Sequence, residues 1–99
     1  MTTQTSIQEK SLFPLGHTLA TPGALGIMQG LGLSPISLLS RHQRGDWGDL
    51  DEEDKQRNDS ALVDGSRIFS AYQIAEGARF WVITEADRSA TTILLPEEY

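Results

Sequence analysis

Four residue types in this chain could do acid–base chemistry on a phosphodiester if the fold brought them together: His42, Tyr72, Glu85 and Arg88. Small antiparallel-sheet ribonucleases and related toxins use that set on one sheet face. The carboxylate or imidazole moves the proton, and the guanidinium neutralises developing charge. The discriminating feature would be convergence of His42, Glu85 and Arg88. The ordinary roles of the same residues compete with it. Glu85 falls opposite Arg67 in an antiparallel register, where a cross-strand ion pair is expected. Tyr72 falls on the core face, and Arg88 sits in "ADRS", a turn that asks only for polar residues. The net charge of −6 also disfavours an RNA substrate. The expectation is a protein without catalytic activity, with the small ribonuclease as the alternative.

Metal chemistry fares worse. "DWGDLDEED" invites comparison with a calcium loop. Started at Asp49, however, it has Asp54 where the loop needs glycine and Ser60 where it needs a bidentate glutamate. The chain has no cysteine, so thiolate sites and disulfides are excluded. Only His17 and His42 offer imidazole, on different helical faces, whereas a closed zinc site wants four nitrogen or sulfur ligands. No metal and no other cofactor is expected.

What remains of the segment from Ser40 to Asp59 is charge and one tryptophan. Asp46, Asp49, Asp51, Glu52, Glu53 and Asp54 follow one another with no base between them, and the other acids balance the Lys and Arg. Direct binding to nucleic acid needs clustered cations, and none are clustered here. The electrostatic complement is a basic protein, or one that ordinarily binds nucleic acid. The candidate partner-binding residues are therefore Asp46, Asp49, Glu52 and Glu53, with Trp47 and Trp81 as aromatic anchors. Trp47 also suits an inward plug between helices and sheet, because so small a domain needs its large apolar side chains inside.

The elements that must position these residues follow from the local grammar. A chain of 99 residues makes one domain, here residues 11–99 behind a polar tail over 1–10. No apolar run is long enough to span a bilayer and no signal-peptide pattern opens the chain, so a cytoplasmic protein without membrane attachment is expected. "SLFPLGHTLAT" permits a short extended piece, which Pro14 limits to an edge or an irregular path. Thr21-Pro22 and Ser34-Pro35 each combine a capping side chain with a proline at the first helical position, with stops at Gly30 and Gly45. Leu25 and Met28 mark one buried stripe, and Ile36, Leu39 and Gln43 another. A third helix starts at Asp51, with acids in its first turn, and ends at Gly65; Asn58 on its apolar stripe must hydrogen-bond if buried.

From Arg67 the pattern changes to period two. "RIFSAYQI", "ARFWVITE" and "TTILLP" read as a three-stranded antiparallel meander whose first hairpin turns through Ala75–Gly77. Pairing Ile74 with Ala78 and Tyr72 with Phe80 gives a core face of Ile68, Tyr72, Ile74, Phe80, Val82, Ile93 and Leu95. The other face carries Phe69, Ala71, Trp81, Ile83 and Leu94. It is too apolar for plain solvent, so the N-terminal segment or another molecule should cover it. A homodimer pairing through Trp81 is one such arrangement. The fold class is α+β, with short N-terminal helices packed on one face of the meander.

"GDWGDLDEEDK", "SAYQI" and above all "FWVITEADRSATTILLPEEY" resemble a small family of proteins encoded on plasmids, phages and integrated elements, described as plasmid-related and loosely linked to type I restriction-modification. The resemblance covers about Leu12 to Tyr99. It implies a mobile-element origin and carries no catalytic residue with it. The expected role is a non-enzymatic protein-binding or accessory module that presents an acidic surface to a host or element protein.

Overall fold

The computed structural model describes residues 11–99, so the polar tail expected over 1–10 lies outside the described residues. Eight elements follow in order: strand β1 (His17–Ala20), helices α1 (Pro22–Leu31), α2 (Pro35–Gln43) and α3 (Glu52–Asp64), strands β2 (Ile68–Ala75), β3 (Ala78–Thr84) and β4 (Ala90–Leu94), and a 3-10 turn, Pro96–Glu98.

The α+β class is as expected, but the sheet is larger than the meander. It has four strands in the order β1-β4-β3-β2, with β1 parallel to β4 and the other pairs antiparallel. The added strand is the extended piece after Pro14. His17, Thr18 and Leu19 are all exposed, so it lacks the alternation that marks a half-buried strand.

The helix starts follow their caps. Thr21 and Ser34 accept from Ala24 N–H at 3.1 Å and Ile36 N–H at 3.3 Å, and Asp51 accepts from Asp54 N–H at 2.8 Å. Two helical details differ from expectation. Helix α1 runs past Gly30 and ends at Gly32, and its buried residues are Ala24 and Met28. Helix α2 buries Leu38 and His42, one turn apart, and leaves Ile36 exposed. The sheet meets α2 one position further round than Ile36 and Leu39 suggest.

The meander's register holds from Ile68↔Thr84 to Tyr72↔Phe80 and again at Val82↔Ile93. It slips at the hairpin. A bulge lies between Gln73 and Ala75, Ala75 pairs with Ala78, and the loop shortens to Glu76–Gly77. Gly77, at φ 77°, supplies the left-handed residue that this turn requires. The bulge swings Ile74 out of the core face, where it is 36% exposed. The other six core-face residues are buried, and Tyr72, Phe80, Val82, Ile93 and Leu95 form one cluster with Ala24, Met28 and Leu38. A second cluster, Phe13, Trp47, Ala61 and Ile68, joins α3 to the sheet.

Candidate functional site: a groove beside the acidic helix

The residues of the ribonuclease alternative do not converge. His42 is fully buried. Its Nδ1 lies 2.6 Å from Ser70 Oγ and its Nε2 lies 2.9 Å from Thr84 Oγ1. The proton positions follow from the chain of bonds. Thr91 donates its one hydroxyl proton to Leu15 O at 2.8 Å, so Thr84 must donate to Thr91 across 2.7 Å. Thr84 can then only accept from the imidazole, which carries its proton on Nε2 and accepts at Nδ1 from Ser70. Burial pushes the His42 pKa down to about 3, so the ring is neutral. It is a satisfied core histidine, packed edge-on against Phe13 at 5.2 Å and Trp47 at 5.9 Å.

Arg88 is equally occupied. It stands in the left-handed region at φ 61° and donates to Ser66 O at 2.6 Å and Ala61 O at 3.0 Å, among other carbonyls. It thereby ties the C-terminal carbonyls of α3 to the β3–β4 turn, where a cation is favourable. Glu85 is exposed, and the expected Arg67–Glu85 ion pair is absent among the described residues. Arg67 instead donates to Tyr99 Oη at 2.8 Å.

The acidic run is less idle than its sequence suggests. Asp46 accepts from Arg41 Nε at 2.7 Å, and that bond holds its carboxyl below the usual range. Asp49 accepts from the Gln73 N–H at 2.7 Å, and Asp51 caps α3. Glu52 lies 3.8 Å from Lys55, and Glu53 and Asp54 each lie 3.5 Å from Arg57. These last pairs are exposed and weak. Glu52 and Glu53, with side chains 83% and 78% exposed, keep their charge in solvent. Asp46 and Asp49, in contrast, are structural.

The segment Trp47–Asp49 seals the free edge of the sheet. Ala71 N–H donates to Trp47 O at 3.2 Å, and Asp49 N–H donates to Ala71 O at 2.7 Å. Gly48 sits at φ 79° against Ala71 O and the Tyr72 ring, where any Cβ would collide. One step along, Asn58 takes both groups of Phe69. Its Nδ2 donates to Phe69 O at 2.6 Å and its Oδ1 accepts from Phe69 N–H at 3.1 Å. The outward backbone groups of β2 at 69 and 71, and the N–H of Gln73, are thus all paired. This protects an edge that would otherwise invite strand addition. Asn58→Ala should lower stability by about 1–3 kcal/mol in chemical denaturation, because two part-buried backbone groups lose their partner. Trp47 is 5% exposed and donates its indole N–H to Asp59 at 3.1 Å. It is the inward plug, and it is not available as a partner anchor.

Trp81 is different. It lies on the outer sheet face with Phe69 edge-on at 5.0 Å and Tyr99 at 5.5 Å. The cover for this face comes in part from the C-terminal segment rather than the N-terminal one. Thr21 donates to Glu98 Oε1 at 2.6 Å, and Leu95 N–H donates to the same oxygen at 2.8 Å. This fixes the 3-10 turn, and Tyr99 lands on Trp81 and under the Arg67 guanidinium, 5.5 Å from its ring. Between this aromatic trio and α3 runs a groove of about 580 Å³. Phe69, Trp81, Ile83 and Tyr99 form its apolar floor, and Asp54, Arg57, Asp64 and Arg67 stand along its rim. Of the residues proposed from sequence, only Trp81 lies in the groove. Glu53 approaches it through Arg57. Phe69 is marked in the sequence only as part of the apolar outer face, and Tyr99 escaped notice altogether. Nothing local in "LLPEEY" tells that Glu98 will turn the chain back over the sheet.

Among the described residues, no three of His, Asp and Glu come together as a metal-ligand set, and no single helix is long and apolar enough to cross a membrane. Comparison with protein-family models, with curated proteins and with solved structures gives no match.

Proposed function

We propose that this chain is a non-enzymatic protein-binding module that takes a basic segment of its partner into the groove between α3 and the outer sheet face. The groove itself is the observation that carries this reading. An apolar floor with three aromatic rings offers a seat for one large apolar side chain. Helix α3 carries five acids against two bases, so the helix beside that seat attracts cations. The partner is then a protein segment carrying Lys or Arg around a Leu, Phe or Trp. A nucleic-acid-binding protein of the host or of a mobile element has such surfaces, and this reading takes the chain to work in the cytoplasm beside one. A ribonuclease has less support, because His42 is enclosed and Arg88 is committed to backbone carbonyls.

The test is a titration with a fluorescein-labelled peptide of Lys and Arg around one Leu, followed by anisotropy. Binding should weaken at least about tenfold, or about 1.4 kcal/mol, when the Leu becomes Ala or when Trp81→Ala removes the floor. Glu52→Gln with Glu53→Gln should slow association and flatten its salt dependence while leaving folding stability nearly unchanged, since exposed charges chiefly steer encounter. Equal affinity for the Leu and Ala peptides would remove the groove from the account.

A further inference from the structure

The two edges of the sheet are treated differently. The β2 edge is sealed by Trp47–Asp49 and Asn58, as described above. The β1 edge is the other end of the strand order. There, His17 N–H donates to Ser89 O at 2.9 Å and Thr21 N–H donates to Ile93 O at 3.0 Å. Odd-numbered residues therefore face β4, and by alternation Thr18 and Ala20 turn their N–H and C=O groups outward. Among the described residues, no element lies beyond them. The edge also lacks the usual protection, because it has no Lys, no proline and no bulge within His17–Ala20.

A second observation says what fits this edge. Between Lys10 and Arg41 the chain contains no Asp, Glu, Lys or Arg. That stretch supplies β1, α1 and most of α2, and it carries exposed Leu19, Leu31 and Ile36, at 54%, 45% and 68%. The negative excess lies beyond the opposite edge, on α3 and the segment before it, about 14 Å or three strand spacings from β1. An unsealed edge without Asp, Glu, Lys or Arg offers a charged strand no ion pair, whereas a second copy of the same edge meets it without like-charge repulsion. It is complementary to itself.

We propose that β1 pairs antiparallel with β1 of a second copy of this chain, about a twofold axis beside Leu19. The outward groups dictate the register. Thr18 exchanges both backbone hydrogen bonds with Ala20 of the other copy, and Ala20 with Thr18, giving four bonds. Leu19 then faces Leu19 across a non-hydrogen-bonded pair, where Cα atoms approach to about 4.5 Å. The register Leu19↔Thr92↔Ile83 puts Leu19 on the outer face, so the two leucines cover each other there. The result is one continuous eight-stranded sheet with an acidic helix at each far end. The Trp81 groove stays open in both copies, so this pairing stands or falls independently of the partner proposed above. It also replaces the homodimer expected through Trp81, whose ring is already engaged by Phe69 and Tyr99.

The absence of cysteine makes the pairing directly testable in the full-length chain. Leu19→Cys should form an interchain disulfide under mild oxidation at least about tenfold faster than Val63→Cys, which is 89% exposed on α3, because pairing raises the local thiol concentration. Sedimentation equilibrium of the unmodified protein should show mass rising from 10.9 kDa toward twice that value with concentration. Leu19→Lys, which puts like charges face to face, should stay at 10.9 kDa with an unchanged circular dichroism spectrum. Equal oxidation rates for the two cysteine variants would overturn the proposal. So would a monomer at all concentrations. If that monomer became a dimer on removal of residues 2–10, the chain's own tail would be the strand that occupies β1; if it stayed monomeric, the edge would be left for a foreign strand.

Discussion

Phe80→Ala lowers the free energy of unfolding by about 3–5 kcal/mol, the range for truncating a buried aromatic side chain. Phe80 is fully buried in the larger core cluster, opposite Tyr72 on β2 and in company with Ala24 and Met28 of α1 and Leu38 of α2. Urea denaturation followed by circular dichroism reads the shift. A change below about 1 kcal/mol would mean that the two faces of the sheet are assigned the wrong way round.

The second large effect is a pH dependence centred on His42. Its folded pKa of about 3 lies below the 6.5 of a free histidine, so between those values the unfolded chain binds a proton that the folded chain does not. Stability therefore rises with pH through that window and is lost as pH falls, with a slope of about 1.4 kcal/mol per pH unit. Above pH 6.5 the contribution is fully present and constant. Asp46 also favours its charged form when folded, but its carboxyl titrates below the usual carboxylate range, so the upper part of the window belongs to His42. Denaturation midpoints measured from pH 4.5 to 7.5 should show the slope below pH 6.5 and a plateau above it. In His42→Gln the protein should be less stable at pH 7, because Ser70, Thr84 and Thr91 lose their alignment, and the slope should be largely gone. A flat profile in the native protein would show that the imidazole takes up its proton at the same pH in the folded and unfolded chains, so that burial does not hold it neutral.

The first of these effects arises from the part of the fold that is legible in the sequence, and the second from a part that is not. The capping pairs Thr21-Pro22, Ser34-Pro35 and Asp51 place all three helix starts, and strict alternation places β2, β3 and β4 in their register. What stayed hidden depends on contacts between distant segments. Strand β1 has no alternation because its side chains are exposed, and only its backbone bonds to Ser89 and Ile93 define it. The pairing of His42 with Ser70, Thr84 and Thr91 joins one helix to three strands, and no local pattern encodes it. The hairpin bulge that turns Ile74 outward is invisible to a rule that counts in twos. The candidate site was half legible. The apolar outer face and the acidic helix are plain in the residues, whereas their meeting in a groove depends on Glu98 anchoring Tyr99 over Trp81.

The acids show how composition overstates a surface. Six consecutive negative charges suggest a single patch, yet Asp46, Asp49 and Asp51 brace α2, the β2 edge and the start of α3. Glu52 and Glu53 keep the solvent exposure that steering requires. This division predicts different consequences for neighbouring residues of identical charge. Neutralising Asp49 should act on stability through the β2 edge, and neutralising Glu52 or Glu53 should act on association.

The proposal that the groove seats a basic, apolar-anchored segment is tested most directly by mapping where such a segment lands. Titrating the isotope-labelled protein with the Leu-bearing basic peptide, and following backbone and indole N–H resonances, resolves binding residue by residue. Shifts should concentrate at Phe69, Trp81, Ile83 and Tyr99 and along the Asp54–Asp64 face of α3, with the buried Trp47 indole unmoved. Shifts confined to β1 and α1, or spread evenly over exposed acids with Trp81 unaffected, would contradict the proposal.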